Sequence, residues 1–199
     1  MARRRIADPA ATEVDAYVFI KQELAALGWD TRNPERNPLG RVYTQNECLS
    51  NPEIKRLLVL ERPENIVKVN ERALWVIEAK RTHGQLEQAI SEAEGYAEKL
   101  NQSRQFKAVF VSGVAGNEGD TYVIRTRFLK NGKFTPVSLN DVEMTGLLSP
   151  DHCDRAIQSG QPNLDNPPID EKHFISRAEH INEILHLGAV NPHQRANVM

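Results

Sequence analysis

Cysteine is scarce in this chain. Cys48 and Cys153 stand alone, without a Cys-x-x-Cys spacing, so neither a disulfide framework nor a cysteine-built zinc site is indicated. Long apolar runs are missing as well. No stretch approaches the length of a membrane span, and Met1-Ala2-Arg3-Arg4-Arg5 is not followed by the apolar segment of a secretion signal. The expectation is a cytoplasmic protein with no membrane partner. A surplus of basic charge is lacking too. The 25 Lys and Arg face 27 Asp and Glu, giving a net charge of −2 and a pI near 6.3. That balance excludes a tight, autonomous DNA binder; a nucleic-acid function needs local basic patches or a partner that supplies affinity. What is there is 199 residues, 40% of them hydrophobic. This suffices for one good core with a short appendage.

Two tempting motifs lack their working parts. Ser112 to Gly119 is glycine-rich, but it has no Gly-Lys-Ser/Thr and no helix pattern after it, so it reads as a connection rather than a phosphate loop. Asn166-Pro167-Pro168 is followed by Ile169, where an amino-methyltransferase needs an aromatic residue to stack on a flipped base.

The remaining pattern alternates helices and strands. Thr12 caps an amphipathic helix with Val14, Val18, Leu24 and Leu27 on its buried side, closed by Gly28. Asn33 to Tyr43 reads as a loop. Ser50 and Glu53 fit a capping box around a short helix near Pro52–Arg56, which leads into Leu57-Leu58-Val59-Leu60. Gln85 to Leu100 carries Leu86, Ile90, Ala93, Ala97 and Leu100 at helical spacing. Ala108 to Ser112 is a continuous apolar run, as in a strand buried on both faces. Thr121 to Leu129 and Phe134 to Leu139 form a hairpin around Asn131-Gly132. The order predicts an α/β fold, a mixed β-sheet flanked by helices.

The chemistry concentrates in Arg62-Pro63-Glu64-Asn65-Ile66-Val67 and Leu74-Trp75-Val76-Ile77-Glu78-Ala79-Lys80-Arg81. In a strand Glu78 and Lys80 share a face, with Trp75 and Ile77 on the other. A turn centred on Glu71 sets position 64 opposite position 78, so two carboxylates converge one pleat from a lysine. Such a group suits a hard divalent cation and a phosphate. A second Glu-x-Lys, Glu53-Ile54-Lys55, falls in the short helix, where the two side chains diverge.

Pro63-Glu64, fourteen residues before Glu78-Ala79-Lys80, resembles the PD-(D/E)xK nuclease signature. The wording is most similar to the N-terminal nuclease domains of type I and type IIG restriction-modification enzymes. The likeness extends to the helix opening at Thr12-Glu13-Val14-Asp15. It extends also to Glu92 to Tyr96, where relatives often carry Gln-x-x-x-Tyr. Here Glu64 replaces the usual aspartate and Glu92 the usual glutamine. The resemblance implies hydrolysis of double-stranded DNA with Mg2+, Mn2+ being a substitute. Glu64, Glu78 and the carbonyl of Ala79 would hold the metal. Lys80 would orient the attacking water, and Glu13 would hold a second ion or order the first helix.

Other residues are read more plainly. Arg125 and Arg127 share a strand face and, with Arg81, are candidates for DNA backbone contact; Arg104 is a similar one. His83, three residues after Lys80, could approach the scissile phosphate. Residues 1–148 are expected to form the nuclease-like domain and 149–174 a linker with a short helix, Pro150 to Ser159. Residues 175–199 resemble the start of the helical domain that precedes a methyltransferase. The chain is thus expected to be the front part of a larger protein working with methyltransferase and specificity domains or subunits. Two alternatives stay open: a non-catalytic DNA-binding or scaffold module with a degenerate nuclease fold, and a repair-type nuclease.

Overall fold

Helix α1 (Glu13–Ala26) turns Ala16, Ile20 and Leu24 inward at four-residue spacing, and Gly28 at φ +96° closes it. In this computed structural model, which describes residues 13–165 apart from 118 and 120, Val18 is 41% exposed. The buried stripe thus runs through Ile20 rather than the expected Val18. Strand β1 (Val42–Thr44) occupies the end of the segment read as a loop. Helix α2 (Pro52–Leu58) is capped by Asn51, whose side chain accepts hydrogen bonds from the N–H groups of Glu53 and Ile54. The expected Ser50 cap does not form, because the Ser50 hydroxyl is bonded to the Glu47 carbonyl instead. Leu57 and Leu58 complete that helix. Val59 leaves it at φ +58°, and Val59 and Leu60 are 65% and 80% exposed.

Strands β2 (Asn65–Lys68) and β3 (Ala73–Lys80) pair antiparallel, Asn65 opposite Ile77 and Val67 opposite Trp75. Every pair is centred on position 71, as the turn residues predict. Helix α3 (Leu86–Leu100) then returns the chain so that β4 (Lys107–Asn117) lies parallel to β3. Strand β4 occupies the segment expected to be a glycine-rich connection as far as Asn117. The glycines serve packing: a Cβ on Gly113 would lie 2.6 Å from Cγ1 of Ile90 in α3, and one on Gly116 (φ +131°) 2.2 Å from the Thr121 carbonyl oxygen. Strands β5 (Thr121–Lys130) and β6 (Lys133–Pro136) complete a six-stranded mixed sheet in the order β1-β2-β3-β4-β5-β6. The Asn131-Gly132 turn has both residues at positive φ.

The last expected strand splits at Pro136, which has no N–H to extend the ladder. Ser138–Leu139 (β7) instead joins β8 (Val142–Glu143) and β9 (Asn163–Leu164) in a small second sheet. Helix α4 (Pro150–Ser159) forms with Ser149 as cap and Gly160 as stop, and buries Cys153 and Ala156. Its core partners include Ile20, Leu24, Trp29, Trp75 and Phe110 on one side of the sheet. Helices α2 and α3 cover the other side through Ile54, Leu58, Ala93, Ala97 and Leu100. One compact unit ends at Leu164. Helix α4 and β9 belong to this unit, with Cys153, Ala156 and Leu164 in the core on the α1 side of the sheet. The start of a helical domain expected at 175–199 lies outside the described residues.

Candidate functional site

The site is built at the end of the β2–β3 hairpin where β3 meets α3. Glu64 immediately precedes β2, and its backbone N–H donates to Oε2 of Glu78 at 3.3 Å. Both carboxylates are buried, Glu64 at 8% and Glu78 at 6% exposure. Burial, and next the negative charge of Glu64, push the Glu78 carboxyl up to about 8. Lys80 lies one pleat along β3, with Nζ 3.7 Å from Oε1 of Glu78. Ala79 lies between them and turns its methyl into the opposite core.

Helix α3 supplies the facing wall. Gln88, Glu92 and Tyr96 recur every four residues and so share one stripe. Glu92 binds Lys80 at 2.6 Å and accepts a hydrogen bond from Gln88 at 2.9 Å. Burial raises Glu92, yet the bonds from Lys80 and Gln88 outweigh it and hold the carboxyl below its ordinary range. Tyr96 is half-buried. Its hydroxyl is pushed up to about 12 by burial and then by the charge of Glu78, with Glu61, Glu92 and Glu64 adding to it. The close approach of α3 depends on Gly113, which sits beside Glu78 in the parallel register.

A third contribution comes from the segment after β1. Gln45 donates to Oε1 of Glu64 at 3.4 Å. Asn46 accepts from Arg62 at 2.7 Å, and Glu61 pairs with Lys99 of α3. These contacts tie the strap at 59–63, which delivers Glu64, to both neighbours. Sequence reasoning missed Gln45, since nothing in a Thr-Gln-Asn-Glu run marks it. It arrives only because β1 pairs with β2.

Arg125 and Arg127 have acidic partners of their own. Arg125 pairs with Glu87 and, at 2.8 Å, with Glu143; Arg127 pairs with Glu94 at 2.8 Å and Glu87 at 3.2 Å. Both arginines are thus neutralised by acids, mostly of α3. Arg81 is exposed at the end of β3. His83 is exposed, and its Nε2 lies 3.0 Å from the Thr121 carbonyl. Glu13 is the first residue of α1, but its side chain lies outside the described residues.

Among the described residues no cluster of three or more His, Cys, Asp or Glu side chains is arranged to hold a metal ion. Magnesium asks for less, because it keeps several waters and is commonly held by one or two carboxylates. Glu64 and Glu78 meet that requirement. Two adjacent buried acids carry a repulsion that a divalent cation relieves; burial chiefly raises the Glu78 proton affinity, and the charge of Glu64 adds to it. Among the described residues, no helix is long and apolar enough to cross a membrane. Comparison with protein-family models, curated proteins and solved structures finds no match to the chain.

Proposed function

We propose that the chain is a metal-dependent nuclease unit that hydrolyses DNA phosphodiester bonds. The observation that carries this reading is the buried Glu64–Glu78 pair with Lys80 at 3.7 Å, on a hairpin end walled by α3. A magnesium ion bound there would supply Lewis-acid stabilisation of the charge that develops on the phosphoryl oxygens. Glu64 and Glu78 would hold it, with the Ala79 carbonyl as a further oxygen donor. Lys80 presents an ammonium at the edge of the acid pair, where it can hydrogen-bond the attacking water or a non-bridging phosphate oxygen. Glu92, itself bonded by Gln88, fixes that ammonium. The restriction-modification setting, with methyltransferase and specificity partners, rests on the sequence resemblance alone.

A second reading, a nucleic-acid-binding module without catalysis, draws on the Lys80–Glu92 contact, which matches the lysine charge with an acid. Cleavage of supercoiled plasmid in Mg2+ and in Mn2+ separates the two. Metal-dependent nicking that falls by at least about 100-fold in Lys80→Ala is expected of the nuclease. Equal rates in parent and variant would remove Lys80 from the mechanism, and a wholly inactive parent would favour the binding module.

A further inference from the structure

A cavity of about 380 Å³ opens between α1 and the segment that precedes β1, with Lys21, Thr31, Arg32, Asn33, Arg36 and Glu47 in its wall. Its charges do not cancel. Arg32 is clamped on Asp30, through Nε at 2.8 Å and 3.1 Å and also through Nη2. Glu47 accepts from the Thr44 hydroxyl at 2.8 Å. Lys21 and Arg36 enter no ion pair among the described residues. Setting Asp30 and Glu47 against the three cations leaves one positive charge, which a single phosphodiester matches. The Thr31 hydroxyl adds a neutral donor of the kind that accompanies cations at phosphate contacts.

The cavity adjoins the acid site through three consecutive residues. Gln45 bonds Glu64, Asn46 bonds Arg62, and Glu47 faces the cavity. The Cα atoms of Gln45 and Glu47 are no more than about 7.6 Å apart. A nucleic-acid strand rises about 3.4 Å per nucleotide. A strand cleaved at Glu64 and Glu78 that runs along residues 45–47 around the β1 edge carries another phosphate past this cavity within a few nucleotides. We infer that the Lys21–Arg36 cavity binds a non-scissile backbone phosphate of the cleaved strand. The inference rests on the nuclease reading for the identity of that strand. It also assigns backbone contact to cations that the sequence pattern had not marked, in place of Arg125 and Arg127, whose charges are matched.

The test is binding of a short labelled duplex, with Ca2+ replacing Mg2+ to suppress cleavage, across a range of salt concentrations. The Lys21→Ala/Arg36→Ala protein is compared with the parent and with Lys133→Ala, and all three are also titrated with inorganic phosphate. Both mutated cavity side chains are exposed, so the fold is expected to survive; circular dichroism checks it. The double variant should bind about 10-fold more weakly, with the slope of log Kd against log salt reduced by about 1, while Lys133→Ala shifts neither as far. Unchanged affinity and slope overturn the inference, as does a parent that binds neither duplex nor phosphate. Phosphate binding lost in the double variant, with duplex binding intact, overturns the nucleic-acid source and leaves a free phosphate ligand. Plasmid cleavage decides the nuclease reading separately. An inactive parent whose duplex binding still depends on Lys21 and Arg36 keeps the cavity and discards the catalysis.

Discussion

Lys80 stands closer to Glu92, at 2.6 Å, than to Glu78, at 3.7 Å. The ammonium is therefore anchored from α3 rather than from its own strand. Glutamine at position 92 would keep an acceptor for that anchor while removing the charge, whereas alanine removes both. Glu92→Gln is expected to cleave plasmid within a few-fold of the parent, and Glu92→Ala about 10-fold more slowly, the loss of one charge-assisted hydrogen bond. If Glu92→Gln were as inactive as Lys80→Ala, Glu92 would itself contact metal or substrate. The neighbouring Asn65 gives a prediction about stability. It is 1% exposed, and among the described residues neither Oδ1 nor Nδ2 has a hydrogen-bond partner. An unmet buried amide costs about 1–3 kcal/mol, so Asn65→Leu should raise the denaturant midpoint at constant m-value. A lowered midpoint would show that the amide is satisfied in solution. At this scale the sequence was legible where period and turn suffice: Glu78 and Lys80 share a face, and position 64 meets position 78. It was silent on Gln45, on the Glu92 anchor and on the acids that bind Arg125 and Arg127. Those contacts join residues 12 to 40 positions apart, and no local pattern encodes such a spacing.

Among the elements, the β4–α3 contact sets the depth of the site. A Cβ at Gly113 would sit 2.6 Å from Cγ1 and 2.9 Å from the backbone N of Ile90, so the helix itself must shift. Gly113→Ala is expected to cost about 1–3 kcal/mol in chemical denaturation, the usual penalty of overpacking. It should also slow cleavage, because Glu92 and Tyr96 ride on the displaced helix. Full stability in that variant would mean that α3 packs less tightly than described. The same glycine explains one sequence expectation that failed. Glycine density reads as a connection when only local signals count, whereas here it marks a strand crowded by a helix. The misplaced cap at α2 has a different origin. Asn51 takes the cap by accepting from the Glu53 and Ile54 N–H groups, and the Ser50 hydroxyl is bonded to the Glu47 carbonyl. The α1 stripe shifted from Val18 to Ile20 for want of a partner: only the position of the sheet decides which helical face is inner.

The whole molecule is small enough for one buried charge to mark its global stability. Glu78 has its proton affinity raised from an ordinary 4.5 to about 8. Below about 4.5 the carboxyl is protonated in folded and unfolded chains alike, and its contribution to stability is fully present. As pH rises toward about 8 the unfolded chain releases this proton while the folded protein retains it. Stability therefore falls through that window, at up to about 1.4 kcal/mol per pH unit. Metal-free protein should melt at progressively lower temperature between these pH values, and Glu78→Gln should flatten the dependence. Mg2+ added near pH 8 should restore the parent melting temperature and leave the variant unmoved. A parent whose melting temperature ignores Mg2+ at every pH would argue against metal at these acids. The hairpin that carries the pair has one more consequence, for the order of folding. Strands β2 and β3 are joined by a tight turn, so they are the cheapest pairing in the sheet to close. Their parallel partner β4 must wait for α3. The two acids thus face each other early in folding, before Lys80 has met Glu92. Like charges opposed across paired strands are unfavourable. The chain consequently brings these two carboxylates together before α3 docks, and mild acid, which protonates them, is expected to accelerate folding.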